Sequence, residues 1–149
     1  MFKWPGNPRK QRTTFGSLSR SELMSRVRGV KNKTTDERLA HFLRRSGLRG
    51  WRRHKRMVGR PDFIWLAEKL AVFVDGCFWH GHSCGKNVAP RTNAQRWRQK
   101  IEGNRARDIR VAAALRRQGW RVIRIWECQL AKKPDFCVDR LRRVLGSKL

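Results

Sequence analysis

The chain has 149 residues, and 37 Lys and Arg against 11 Asp and Glu leave a formal net charge of +26. That is one domain's worth of chain, and 39% hydrophobic against 32% charged residues leave little apolar surface beyond one core. No run approaches the ~18 apolar residues of a membrane span, and MFKWPGNPRK lacks the apolar centre of a signal peptide, so a soluble cytoplasmic protein is expected, with no membrane association.

A pI near 11.8 points to a polyanionic partner, because self-repulsion on this scale needs something to neutralise it. DNA or RNA is the default. Seven Trp ask for a core or a stacking role that ribosomal and packaging proteins seldom have. Residues 1–18, rich in Lys, Arg, Gly, Pro and Thr without hydrophobic period, are expected to be a flexible basic arm that orders on nucleic acid, and residues 19–149 a single domain. Ser19 with Glu22 starts a short capped helix that ends at Gly29, its Arg20, Arg26 and Arg28 facing solvent or phosphate.

A second helix is predicted from near Thr34 to Gly47, with Glu37 in a capping box and Leu39, Phe42 and Leu43 as its apolar stripe. Asp36 shares the buried side of that helix and Glu37 points elsewhere. After the basic stretch Trp51 to Arg56, the runs Phe63–Leu66, Leu70–Val74 and Trp120–Trp126 have the composition of strands, the first two close enough for a hairpin. Between the second and third lies a long helical pattern, from a Thr92/Gln95 capping box to Gly119, with Gly103 as a weak point. Strand, helix, strand implies a parallel pair with a right-handed crossover. A basic amphipathic helix over Asp135–Leu145 closes the chain.

Four cysteines stand at 77, 84, 128 and 137. Cys77, His82 and Cys84 lie within eight residues, and Cys128 immediately follows a strand. A tight turn supplying three soft or borderline ligands and a strand end supplying the fourth is the arrangement of a structural zinc site. Ordinary buried thiols are the alternative reading, and His80 could stand in for His82. Cys137 has the setting of a plain core or surface thiol.

Asp62 follows Pro61 at the entrance to one apolar strand, and Asp75 ends the next. A hairpin could set them side by side, and oxygen ligands on adjacent strands can hold a magnesium ion for phosphodiester hydrolysis. His80 could take a proton from an attacking water. Asn104 and Asp108 share the inward face of the long helix, where Asp108 could orient His80 through its second ring nitrogen. A half-exposed salt bridge to one of the many Arg is the alternative for Asp108.

Gly-Arg-Pro-Asp at 59–62, Val-Phe-Val-Asp-Gly-Cys-Phe-Trp-His-Gly-His at 72–82, Asn104 with Arg107-Asp108, and Gly-Trp-Arg-Val-Ile-Arg-Ile-Trp-Glu-Cys at 119–128 together resemble the very short patch repair (Vsr) endonucleases, over roughly residues 19–130. The resemblance implies an α/β, restriction-endonuclease-like core of the PD-(D/E)xK type, with a mixed central sheet flanked by helices and a structural zinc site. It implies a magnesium-dependent nick on the 5′ side of the thymine in a T:G mismatch, the product of 5-methylcytosine deamination. By that resemblance Asp62 and the backbone carbonyl of Val74 are the Mg2+ ligands, His80 is the general base and Asp108 its partner. Cys77, His82, Cys84 and Cys128 match the Zn2+ ligands. Phe78, Trp79 and Trp97 match the aromatic side chains wedged into the duplex, where an already weakened base pair lowers the unstacking cost; core packing is their alternative. Asn104, Arg26 and Arg28 join them as DNA-contacting candidates.

Two positions depart from the family pattern. Asp75 stands where a second His is common, which removes a positively chargeable group or adds a metal ligand. Asp36 takes the place of the family's helix acid, usually Glu, with Glu37 one residue and about 100° away; Asp36 is the favoured site residue and Glu37 the cap. Family membership further implies a bacterial, nucleoid-associated monomer and MutL-type mismatch-repair partners. The competing readings are a zinc-stapled DNA-binding protein without catalysis and a nicking nuclease without mismatch specificity. Asp62 together with His80 separates the first from an enzyme, because DNA binding alone requires neither.

Overall fold

Apolar residues that alternate between two faces build the sheet from its middle strands outwards. The computed structural model describes Ser19, Glu22 and residues 35–84 and 90–146. Within it β1 (Trp51–Arg53), β2 (Phe63–Trp65), β3 (Leu70–Asp75) and β4 (Arg121–Trp126) form one four-stranded sheet in that order. The β1–β2 and β2–β3 pairs are antiparallel and β3–β4 is parallel. The hairpin and the parallel pair are those expected from the sequence. β1 was hidden in a basic stretch, since a three-residue strand with only Trp51 as a large apolar side chain has too short a period to recognise.

Among the described residues four helices flank the sheet: α1 (Asp36–Arg45), α2 (Ala94–Arg117), α3 (Glu127–Lys132) and α4 (Pro134–Gly146). On one face Leu39 and Leu43 of α1, Leu130 of α3 and Leu141 of α4 pack against Leu70, Val72, Val74, Ile123 and Ile125. On the other, Leu115 of α2 packs with Ile64, Ala71 and Phe73. Burying a Leu, Ile or Phe side chain contributes about 2 kcal/mol, and both faces of β3 are filled this way. Its residues are buried throughout, as expected of a strand covered on both sides.

Helix boundaries depart from expectation in local ways. α1 starts at Asp36 with Thr35 as its N-cap residue, and Thr34 lies outside the described residues. α2 starts after Asn93, which holds a left-handed φ of 59° and makes no side-chain cap bond, so the Thr92/Gln95 box is not the start. Gly103 does not interrupt α2; a Cβ there would meet nothing within 4 Å, so only its propensity is lost. The stop at Gly119 is as expected: its amide bonds Arg116 O and the Trp120 amide bonds Leu115 O, a Schellman closure that uses the φ of 83°. α3 was not foreseen, being six residues placed directly after β4.

Ser19 and Glu22 exchange the expected reciprocal bonds, Ser19 N to Glu22 Oε2 at 2.7 Å and Glu22 N to Ser19 Oγ at 3.3 Å. The basic arm 1–18, Arg20, Arg26 and Arg28 lie outside the described residues. No helix among the described residues is long and apolar enough to cross a membrane.

Gly59 sits where the chain turns into Arg60-Pro61-Asp62, with φ at 73° and α2 directly above. A Cβ there would lie 2.1 Å from Val111 Cγ1, whereas at Gly47, with φ at 74°, it would meet nothing within 4 Å. Gly59→Ala is expected to destabilise by about 2 kcal/mol or more and Gly47→Ala by about 1 kcal/mol, measured as midpoints of chemical denaturation. Equal effects at the two positions would mean that contact with α2 is not what requires Gly59.

Candidate active site and metal centres

Antiparallel pairing of β2 with β3 brings the start of one strand to the end of the other. Asp62, one residue before β2, therefore reaches Val74, whose amide donates to Asp62 Oδ2 at 2.7 Å. An extended residue sends its N–H and C=O to the same side, so the Val74 carbonyl shares the edge that holds Asp62. Pro61 contributes a fixed φ to this approach. Asp36 of α1 and His54, just past β1, complete a group of ligand atoms within 4.8 Å of one another. Two carboxylates, an imidazole and a nearby carbonyl form a donor set suited to a hard divalent cation.

The electrostatics of this group agree with that use. Asp62 is pushed up to about 7, chiefly by burial, against the pull of the Val74 amide; the Asp36 and Asp75 carboxylates push further and Arg53 opposes them. Asp36 is only 2% exposed and accepts from Arg53 Nη2 at 2.9 Å, with His54 Nε2 3.3 Å away. The same Arg53 nitrogen reaches Glu37 Oε1 at 2.8 Å. Of the two helix acids it is Asp36 whose carboxylate joins the Asp62 group; Glu37, more exposed, meets Arg53 instead.

A second group stands on the other face of the β3 end. His80 Nδ1 lies 2.5 Å from Asp108 Oδ2 of α2, and His80 Nε2 lies 3.7 Å from Asp75 Oδ1. Arg124 of β4 donates to Asp75 Oδ2 at 2.6 Å, and its other nitrogen is 3.3 Å from Asp108 Oδ1. Burial raises the Asp75 carboxyl while His80 and Arg124 lower it. For Asp108 burial also pushes up, but the His80 hydrogen bond and the charges of His80 and Arg124 hold it below the ordinary range. Asp62 and Asp75 do not form the side-by-side pair of cation ligands expected of the hairpin. Successive strand residues face opposite sides, and Asp75 is turned to α2 and engaged by Arg124.

Between these groups the chain makes the turn Gly76 to Cys84, folded by the bond from His82 N to Cys77 O at 2.9 Å. Ligand atoms of Cys77, His82, Cys84 and Cys128 all lie within 4.8 Å of one another. A tetrahedral ion with ~2.3 Å bonds to sulfur needs ligand separations near ~3.8 Å, and Cys128 Sγ lies 3.4 Å from His82 Nδ1. As a thiol Cys77 is pushed up to about 12, by burial first and then by its cysteine neighbours. Three crowded thiols and an imidazole are a donor set suited to a soft or borderline cation. His82 stacks on Trp126 with centroids 4.2 Å apart. The cluster includes His82 and not His80, and Cys137 is a buried core thiol.

Phe78, Trp79 and Trp97 form a triangle of edge-to-face contacts with centroids 5.1, 5.6 and 5.5 Å apart. Phe78 and Trp97 are buried and Trp79 is half-buried. Lys100 Nζ lies 4.9 Å from the Trp79 ring, and Asn104 Nδ2 donates to the Trp79 carbonyl at 2.9 Å, tying α2 to the turn. A cleft lined by His54, Arg56, Met57, Arg60 and Arg107 opens onto Asp62. Sequence reasoning missed Arg53, His54 and Arg124. His54 was lost among neighbouring basic residues. Arg124 carried a readable signal, since in Ile123-Arg124-Ile125 the alternation sends it to the face of Asp108.

The profile of the family described as DNA mismatch endonuclease Vsr matches residues 13–86. The chain is 41% identical over 126 residues to the type II nicking enzyme V.XorIIP of Xanthomonas oryzae, spanning 85% of this chain and 91% of that protein. It is 37% identical over 131 residues to the type II nicking enzyme V.NmeAIP of Neisseria meningitidis, spanning 88% and 92%. It is also 37% identical over 123 residues to the DNA mismatch endonuclease Vsr of Escherichia coli, spanning 83% and 78%.

Because Asp62 keeps its proton to about 7 when folded and to only 3.8 as an ordinary carboxyl, the folded chain binds more protons between those values. Its stability therefore falls as pH rises through that window. In cation-free protein the stability difference between about pH 5 and about pH 8 is expected to shrink by roughly 2–3 kcal/mol in Asp62→Asn, read by denaturant titration at the two pH values. An unchanged difference would show that the buried carboxylate is not the source.

Proposed function

We propose that this chain, which belongs to the Vsr family of DNA mismatch endonucleases, nicks one strand of a T:G-mismatched duplex on the 5′ side of the thymine, with magnesium as its catalytic cation and zinc as a structural one. Membership makes it a DNA nicking endonuclease of α/β fold. The finer reading rests above all on one observation, the hydrogen-bonded Asp62 beside Asp36 at the end of β3. Neither carboxylate has a use in DNA binding alone, where a negative charge works against phosphate.

Asp62, the Val74 carbonyl and Asp36, directly or through water, would hold the magnesium ion. When bound, that ion supplies polarisation of the phosphate and compensation of charge on the leaving oxygen. His80 Nδ1 is occupied by Asp108, so Nε2 is the nitrogen that takes a proton from the attacking water. Asp108 orients the ring and stabilises its charge after transfer. Cys77, His82, Cys84 and Cys128 would fill all four positions of a zinc ion, which gives that ion a holding role and no open site for chemistry. The turn it closes carries His80.

Recognition begins with charge. Lys and Arg supply affinity that falls steeply with salt. Phe78, Trp79 and Trp97 would enter the duplex beside the mismatch, where stacking is already weak and local deformation is cheap. Asn104 would act by holding the Trp79 backbone in place, and Arg26 and Arg28 by contacting phosphate.

A strand-resolved nicking assay with magnesium, on duplexes that differ only in T:G against C:G, tests this reading with wild type and Asp62→Ala. Wild type is expected to cut 5′ of the thymine in the T:G duplex alone, and Asp62→Ala to be at least ~10³-fold slower. Equal nicking of both duplexes would leave a nuclease without mismatch specificity. Equal binding without any cutting would leave a DNA-binding protein.

A further inference from the structure

We infer that Arg124 is a positioning residue for the nicking reaction, holding the Asp75 carboxylate off the Nε2 nitrogen of His80. The inference rests on the proposed function in taking His80 as the proton acceptor. Its ground is a closed ring of four side chains. Arg124 Nη1 donates to Asp75 Oδ2 at 2.6 Å, and Arg124 Nη2 lies 3.3 Å from Asp108 Oδ1. Asp108 Oδ2 lies 2.5 Å from His80 Nδ1, and Asp75 Oδ1 lies 3.7 Å from His80 Nε2. All four separations lie within ion-pair range, but only the Arg124–Asp75 and His80–Asp108 contacts are hydrogen bonds, and the Asp75–His80 side is the longest and too long for one.

That long side is what the ring protects. Asp75 is 3% exposed, and a buried carboxylate without a partner turns to the nearest donor. Were Arg124 not holding it, that donor would be an N–H at His80 Nε2, so that a proton is held on the nitrogen left for the substrate once Nδ1 is engaged by Asp108. The imidazole would then be shared between two carboxylates and closed to the attacking water. A guanidinium suits the task because its planar fork offers two donors in fixed relation and its charge is permanent. Arg124 is itself well anchored. It pairs in register with Phe73, its guanidinium lies 4.6 Å from the Phe73 ring centroid, and its carbonyl accepts from Arg140 Nη1 at 3.0 Å.

The ring also gives a reason for Asp75 and Arg124 to occur together. A carboxylate at 75 would be harmful beside the base on its own, and a cation on the next strand makes it tolerable. The pair fixes Asp108 as well, since Arg124 touches both acids.

Single-turnover nicking of the T:G duplex and DNA affinity, measured on Arg124→Gln, Asp75→Asn and the double variant, test the inference. Arg124→Gln is expected to lower the nicking rate roughly 10- to 100-fold while affinity stays within about twofold. Adding Asp75→Asn to it should recover about tenfold, because the amide lacks the charge that captures the imidazole. A rate like wild type for Arg124→Gln, a double variant as slow as the single one, or a loss confined to DNA affinity would each overturn it. Should Arg124→Gln not fold, Arg124→Lys retains the buried charge with one fewer fixed donor; the same recovery by Asp75→Asn is expected, and its absence is decisive against. Wild type that nicks no T:G duplex would overturn the functional reading itself, before any substitution is compared.

Discussion

The hydrogen bond from the Val74 amide to Asp62 decides where the other polar groups at this end of the sheet can stand. It fastens a carboxylate from the neighbouring strand to the last turn of the pleat in β3. Since side chains alternate along a strand, the next residue, Asp75, must face the opposite way. One strand end thereby serves two groups: Asp36, His54 and Asp62 towards α1, and Asp75, His80 and Asp108 towards α2. Each receives a guanidinium from a neighbouring strand, Arg53 from β1 and Arg124 from β4.

Burying acids in a chain of net charge +26 looks contradictory only if the charge is treated as uniform. Long Lys and Arg side chains keep their heads near solvent, so the interior at the β3 end can be acidic while the exterior is basic. Polyanionic DNA is attracted by the outside and meets, at one place, carboxylates that reject phosphate unless a cation intervenes. Under the proposed reading this makes cleavage conditional on the cation, while binding is not. Under the same reading a zinc ion held by the cysteine–histidine cluster would supply rigidity between the two groups. Cys77 and His82 bracket His80 in the same turn, and Cys128 anchors that turn to the segment just beyond β4.

Much of this was legible in the residues. The Phe63 and Leu70 runs declared themselves as a hairpin and the Trp120 run as a parallel partner, because their apolar residues fill a sheet covered on both faces. The spacing of Cys77, His82 and Cys84 announced a compact cluster, and the interval Ile101, Asp108, Leu115 put Asp108 on the inner side of α2. What escaped was set by contacts distant in sequence. Arg53 and His54 resemble surface charge until β1 pairs with β2 and carries them to Asp36. Asp75 could be placed beside the hairpin partner Asp62 by sequence, but not against Arg124, a pairing 49 residues apart that β4 supplies. The helical angle was enough to place Asp36 rather than Glu37 with Asp62, though not to show the Arg53 guanidinium that reaches both acids.

Under the proposed reading the two acidic groups divide their work, one holding the divalent cation and the other, engaged by Arg124, orienting the base. Anomalous diffraction from crystals soaked in Mn2+ distinguishes them, because the position of the ion is read without reference to activity. The expected result is a peak within ligand distance of Asp62 and the Val74 carbonyl, with none among Asp75, His80 and Asp108. A peak in the second group, or none at Asp62, would contradict it.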